Sequence, residues 1–309
     1  MASVQGGNSE ETPVTSPSRW QFQQVAGPFG LTEGPAWDGE ALLFSNFPNN
    51  RILRYAHQTQ KTEIYRRDTR MANGLMLDRR GRLYACEAAG RCIACYHRDG
   101  TRTVVADTFQ GRRLNSPNDL AIDLKGRIWF SDPDYSSHWA QAIGPPELEH
   151  KSIYRLDPRS DGSWSIQRMT HDTARPNGLL VTPDLRRLYV AESDFQGDRQ
   201  LRAYPILEDG ALGPCEVLRD FAPHRGIDGM CLDAEGNLVA AAGWERSGPG
   251  GMIYVLDARG RVLERHPTPC ERPTNCSWGD QDLRTLYLTS VCGRLYRIET
   301  GRKGWLLYP

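Results

Sequence analysis

Apolar residues fall in short runs separated by turn residues, and one pattern of runs recurs along the chain. Asn73-Gly74-Leu75-Met76-Leu77-Asp78 starts with a polar residue, continues as a short apolar strand and reaches an acidic residue five positions on; Leu83-Tyr84 then begins a second apolar strand. Asn118-Asp119-Leu120-Ala121-Ile122-Asp123 repeats this and leads to Ile128-Trp129, and Asp228-Gly229-Met230-Cys231-Leu232-Asp233 leads to Leu238-Val239. Glu33-Gly34-Pro35-Ala36-Trp37-Asp38 reaches Leu43-Phe44. Asn177-Gly178-Leu179-Leu180-Val181-Thr182 has Thr182 at the acidic position, and its second strand, Leu188-Tyr189, comes one residue late. Asn275-Cys276-Ser277-Trp278-Gly279-Asp280 is the sixth copy and leads to Leu286-Tyr287. Each copy predicts a hairpin, and a third strand with a tyrosine follows, as in Ile52-Leu53-Arg54-Tyr55 and Ile253-Tyr254-Val255-Leu256. Turns such as Asp99-Gly100, Asp161-Gly162 and Asp209-Gly210 then return a fourth strand.

The polar starts lie 40, 45, 59, 51 and 47 residues apart. A four-stranded sheet of this size cannot bury both faces alone, and radial packing of copies solves that while leaving only short edges. The predicted fold is therefore all-β, a six-bladed β-propeller with four-stranded blades, rather than a two-domain sandwich. Residues 1–19 read as a disordered tail and 20–309 as one propeller domain. Either Trp20-Gln21-Phe22-Gln23-Gln24-Val25 or Trp305-Leu306-Leu307-Tyr308 could supply the strand that closes the ring.

In such a fold the first strand of each blade lines the central channel. Glu33, Asn73, Asn118, Asn177, Asp228 and Asn275 are then expected to ring one mouth of it. All six carry side-chain oxygen, which suits a hard divalent cation such as calcium or magnesium. Asn and Asp also cap strands by bonding nearby backbone. Glu33 is harder to explain as a cap, because an unpaired buried carboxylate is costly.

Composition removes several classes. Thirty-eight Lys and Arg balance 38 Asp and Glu, so no overall field attracts nucleic acid or anionic lipid. No apolar run approaches the roughly 20 residues of a membrane span. The polar start carries no signal-peptide pattern, so a cytoplasmic location is expected. Of the eight cysteines, Cys92 and Cys95 have metal-knuckle spacing without a second pair. Strand alternation puts their sulfurs on opposite faces, and free buried thiols are the expectation.

Thr32-Glu33-Gly34-Pro35-Ala36-Trp37, Asn115-Ser116-Pro117-Asn118-Asp119-Leu120, Pro176-Asn177-Gly178-Leu179 and Ile227-Asp228-Gly229-Met230 resemble the senescence marker protein/gluconolactonase/luciferin-regenerating enzyme family. Phe130-Ser131-Asp132-Pro133 and Tyr154-Arg155-Leu156-Asp157-Pro158 lean toward its bacterial gluconolactonase-like branch. The resemblance covers residues 20–309. It implies a metal-dependent lactonase acting on a small sugar lactone. One divalent ion would lie in the channel, calcium first, with magnesium, manganese or zinc as alternatives. It implies Glu33, Asn118, Asn177 and Asp228 as ligands, and Asn73 and Asn275 as substrate-facing groups. Animal aldonolactonases carry an Arg two residues before the third-blade Asn; Ser116 stands there in this chain as a candidate substrate contact.

For the base that activates water, Asp228 is preferred and Asp119 is the second candidate, because alternation turns Asp119 to the face opposite Asn118. No GxSxG elbow is present. The 59-residue interval predicts a long loop, in which Tyr135, His138 and Trp139 are candidate contacts over the mouth. Two other functions share these features: organophosphate or other ester hydrolysis on the same metal, and a non-enzymatic calcium-binding or interaction propeller. The sequence carries no signature of oligomeric state.

Overall fold

The protein is described by a computed structural model covering residues 19–308. All but one residue of the predicted tail lies outside the described residues. Six four-stranded antiparallel sheets make the blades of a β-propeller. The inner strands are Glu33–Trp37, Ala72–Leu77, Leu120–Ile122, Pro176–Val181, Ile227–Leu232 and Pro273–Gly279. In the first five blades the four strands run outward in chain order. The sixth consists of Pro273–Gly279, Thr285–Ser290 and Leu295–Glu299, and its outer strand is Gln23–Ala26. Gln23 pairs with Arg297 and Gln24 with Tyr296, so the N-terminal segment closes the ring. The C-terminal segment does something else. Trp305, Leu306, Leu307 and Tyr308 line the cavity at the opposite end of the channel, and Trp305 N donates to Leu232 O at 3.1 Å.

The repeat has a mechanical explanation. The acidic residue closes the turn between the first two strands: Asp78 Oδ1 accepts from the backbone N of Arg80 and Arg82, Asp123 Oδ1 from Lys125 and Arg127, and Asp233 Oδ1 from Glu235 and Asn237. Thr182 substitutes by accepting from Arg187 N and donating to Asp184 Oδ1. The fourth- and sixth-blade turns carry one extra residue, absorbed by Leu185 and Leu283 in the left-handed region at φ 60° and 56°. This accounts for the late second strand at Leu188.

The core lies between blades. Trp129 of the third blade packs with Leu179, Val181, Leu188 and Val190 of the fourth, and Trp278 of the sixth packs with Val239 and Ile253 of the fifth. Both tryptophans are fully buried, and burial of a side chain this large stabilises by roughly 2–3 kcal/mol. Every third strand carries a buried tyrosine: Tyr55, Tyr96, Tyr154, Tyr204, Tyr254 and Tyr296. Cys92 and Cys95 share the strand Cys92–Tyr96, and all eight cysteines are free thiols.

Inner strands meet closely at the channel, and the glycine after the polar start permits it. A Cβ on Gly34 would lie 2.2 Å from Asn73 O, one on Gly74 2.4 Å from Asp119 Oδ1, one on Gly178 2.3 Å from Asp228 O, and one on Gly229 2.0 Å from Asn275 Cγ. In each case the obstacle belongs to the next blade. Gly178→Ala should therefore force the fourth and fifth blades apart and cost about 1–3 kcal/mol, the usual range for overpacking. Denaturant unfolding of the variant checks this; an unchanged midpoint would mean the blades can separate freely.

Candidate active site at the channel mouth

The polar starts do not sit in regular strand. The pairing of inner and second strands slips between Glu33 and Ala36, Ala72 and Leu75, Pro176 and Leu179, Ile227 and Met230, and Pro273 and Cys276. In four of the five the slip contains the polar residue, and in the first blade Glu33 pairs with Ser45 at its edge; bulges bend a strand and re-aim its side chains. In the third blade the strand begins only at Leu120. There Asn118 N donates to Ser131 O, and Ser131 N donates to Asp119 O.

Five of the six polar starts, Glu33, Asn73, Asn118, Asn177 and Asp228, line one cavity of about 330 Å³ at the mouth. That volume is at the small end for a ligand pocket and fits a single sugar-sized molecule. Asn275 lies deeper. With Asp119 it lines the cavity beyond, inside the bore formed by all six inner strands. Its Nδ2 donates to Asp119 Oδ2 at 3.2 Å and its Oδ1 accepts from Cys276 N at 2.8 Å. Asp119 thus does not turn away from the channel as strand alternation predicts. It precedes the regular strand and points into the bore beneath Asn118, outside the mouth cavity.

Ser116 is fully buried and structural in its contacts. Its Oγ donates to Pro133 O at 2.7 Å and accepts from Tyr135 N at 2.9 Å. Asp132 accepts from the backbone N of Asn115 and Ser116, both at 2.9 Å, and so shapes the turn before Asn118. Burial pushes its carboxyl up to about 7. Tyr135, His138 and Trp139 all reach the mouth cavity from the long loop. Tyr135 Oη accepts from Asn118 Nδ2 at 3.3 Å, which leaves Asn118 Oδ1 for another partner. Trp139 is anchored edge-on against Phe47 of the first blade, and His138 is exposed.

The electrostatics of the mouth are unusual. Burial raises the Glu33 carboxyl well above its ordinary range, and the charges of Asp228 and Asp119 raise it further. Gly34 N donates to its Oε2 at 2.9 Å and offsets part of this. Burial also raises Asp228, while Arg225, Arg272 and Asn177 pull it back toward the anion. The Arg225 guanidinium grips Asp228 Oδ2 and also donates to Gly243 O at 2.9 Å and Pro273 O at 3.0 Å. Burial brings Asp119 up to about 7.

Glu33, Asn118, Asn177 and Asp228 fit a hard divalent cation by this structure's own chemistry. All four offer oxygen, and two buried like charges face one cavity without a matching positive charge for Glu33. Among the described residues no three His, Cys, Asp or Glu side chains gather as a metal cluster, so amide oxygens have to complete the set. Residues 31–292 match the SMP-30/Gluconolactonase/LRE-like region. The chain belongs to this family. It is 29% identical to a gluconolactonase from Zymomonas mobilis over 303 residues, covering 90% of this chain and 81% of that protein. It is 28% identical to a pentonolactonase from Haloferax volcanii, covering 85% and 82%. A solved gluconolactonase from Xanthomonas campestris is 31% identical, with 91% of each chain covered and a TM-score of 0.79. A luciferin-regenerating enzyme structure, at 21% identity and a TM-score of 0.76, shares the fold.

Four arginines at the mouth are absent from the sequence-based candidates: Arg175, Arg199, Arg225 and Arg272. Three of them carry a signal. Arg175 lies two residues before Asn177, and Arg225 and Arg272 lie three before Asp228 and Asn275. Replacing Glu33 with Gln should weaken calcium or magnesium binding roughly tenfold or more, because ligand charge sets the affinity of such sites. Titration calorimetry on chelated protein checks this; equal affinity in the variant would remove Glu33 from the ligand set.

Proposed function

We propose that the protein is a metal-dependent lactonase that opens a small sugar lactone at this mouth. The observation that carries the reading is the pair of buried carboxylates, Glu33 and Asp228, set with two carboxamides in a sugar-sized cavity. Membership in a family whose named relatives include gluconolactonase and pentonolactonase supports it.

Glu33, Asn118, Asn177 and Asp228 would hold one divalent ion, calcium first. When bound, such an ion supplies electrophilic pull on a carbonyl oxygen. The chain's own residues do the rest. Arg225 occupies Asp228 Oδ2, which leaves Oδ1 for the work of a base. Asp228 then takes a proton from the water that adds to the lactone carbonyl carbon. As the ring C–O bond breaks, the same proton goes to the departing ring oxygen, and the product is a hydroxy acid. Tyr135 fixes the Asn118 carboxamide, and Asn73 faces the substrate from the second blade. Asp119, bonded to Asn275 in the bore, acts by holding Asn275 in place rather than as the base.

The test is hydrolysis of an aldonolactone panel, followed by pH indicator after chelation and again with calcium, magnesium, manganese or zinc restored. Metal-restored turnover above the spontaneous rate is expected. Turnover of a fluorophosphate without any lactone turnover would replace the reading with ester hydrolysis, and no turnover of either would leave a binding propeller. Asp228→Asn should remove turnover by a factor of about 10² or more.

The pH dependence has a definite sign. Asp228 works as the anion, so kcat/KM should rise with pH through its ionisation. Arg225 favours the anion, so Arg225→Gln should move the acid limb to higher pH. A limb that stays in place would detach it from Asp228.

A further inference from the structure

The mouth cavity carries more positive charge than a neutral sugar needs. Four guanidinium groups and two carboxylates line it, an excess of two positive charges before any cation binds. Two of the four are committed to the protein. Arg225 holds Asp228 and two carbonyls, and Arg199 donates to Pro223 O at 2.5 Å and Gly197 O at 3.4 Å. Arg175 and Arg272 differ. Among the described residues neither guanidinium has a carboxylate or carbonyl acceptor within hydrogen-bonding distance.

Both are instead held by their faces. Arg175 lies between the rings of Tyr135 and Phe195, 5.0 Å from each centroid. Arg272 lies over Trp244 at 5.4 Å. Stacking orients a planar guanidinium and leaves N–H groups for a ligand; Arg175 also bonds the Tyr135 hydroxyl, while Arg272 has no such bond among the described residues. Phe195 is 43% exposed, an unusual position for a large apolar ring, and Arg175 is the group it supports. Burial and the neighbouring Arg225 disfavour the charged form of Arg272, and the charges of Asp228 and Glu245 offset this only in part. An arriving anion would relieve that, whereas a neutral hydroxyl would not.

Their place in the fold matters as well. Arg175 enters from the fourth blade and Arg272 from the sixth, each just ahead of the polar start of its blade. They stand on the rim, on either side of the blade that carries Arg225 and Asp228.

We infer that the substrate is a lactone bearing a second, anionic substituent, a carboxylate, sulfonate or phosphate remote from the ring carbonyl, received by the remaining N–H groups of Arg175 and Arg272. This rests on the lactonase reading for the reaction and adds the substrate class. Guanidinium edges match carboxylate and phosphate oxygens in pairs, so the shared chemistry is the anion and the experiment separates the kinds.

The experiment compares kcat/KM for glucono-1,5-lactone, its 6-phosphate and a glucaric acid monolactone in the metal-loaded protein. At least one anionic lactone should be favoured about tenfold or more over the neutral one, and the advantage should shrink as salt screens the pair. Arg175→Gln and Arg272→Gln should each reduce the anionic-to-neutral ratio by about tenfold, as expected for loss of a charge-assisted pair. A second measurement needs no turnover. Calorimetric binding of the open-chain acids should favour glucarate or 6-phosphogluconate over gluconate, and both substitutions should remove the preference. Equal kcat/KM for neutral and anionic lactones, with equal binding of the acids, overturns the inference and leaves the lactonase intact. Absence of turnover on every lactone sinks the lactonase reading alone, because the binding preference still decides for or against the anion subsite.

Discussion

Everything at the mouth depends on how closely six inner strands approach one another around the channel. The glycines after Glu33, Asn73, Asn177 and Asp228 stand where the next blade's polar start needs the space of a side chain. The approach is reinforced by direct bonds across blades, such as Gly74 N to Asn118 O at 2.8 Å. One bulge per strand turns the residue before the glycine inward. The third blade dispenses with the glycine, and Asp119 uses the position to reach the bore. Blade packing and site geometry are therefore one constraint. A residue that spreads two blades also moves an oxygen of the proposed ligand set.

That constraint concentrates like charge. Glu33 and Asp228 are buried and Asp119 is partly so; the charges of Asp228 and Asp119 raise the proton affinity of Glu33, and that of Asp228 raises Asp119. Few folds tolerate three such carboxylates without a counter-charge. Arg225 supplies one on the Asp228 side, and Asn275 links the other two through its amide. Among the described residues Glu33 has no cationic neighbour of its own, and a divalent ion held there would supply one, which would give the cation a structural as well as a chemical role. Trp305 to Tyr308 line the cavity at the far end, which at about 120 Å³ is narrower than the 330 Å³ mouth.

Much of this was legible in the sequence because it recurs. A polar residue, an acidic turn residue five positions on and a tyrosine in the third strand identify blades by repetition, and six copies identify the ring. The same logic located the polar starts. It could not assign their depth: Asn275 and Asn73 have the same place in the repeat, yet Asn275 bonds Asp119 in the bore and Asn73 lines the mouth. Depth depends on what stands opposite, which is set by a neighbouring blade and not by the repeat. Alternation also misplaced Asp119, because the residue precedes the regular strand. The closing strand was open for a similar reason. Both termini offer apolar segments of suitable length, and only tertiary pairing separates Gln23–Ala26 from the C-terminal segment that lines the far cavity. Arg175, Arg225 and Arg272 escaped because they fall in the stretches before the repeat begins, although their spacing to Asn177, Asp228 and Asn275 was there to be read, and Arg199, at the start of the fourth blade's third strand, carries no such spacing.

The central claim is that the two buried carboxylates and two carboxamides hold one divalent ion at the mouth. Anomalous scattering from crystals loaded with manganese tests it most directly. The account predicts one strong peak in the mouth cavity, within coordinating distance of Glu33, Asn118, Asn177 and Asp228. A fully loaded crystal with its peak elsewhere, or with none at these four residues, would contradict it.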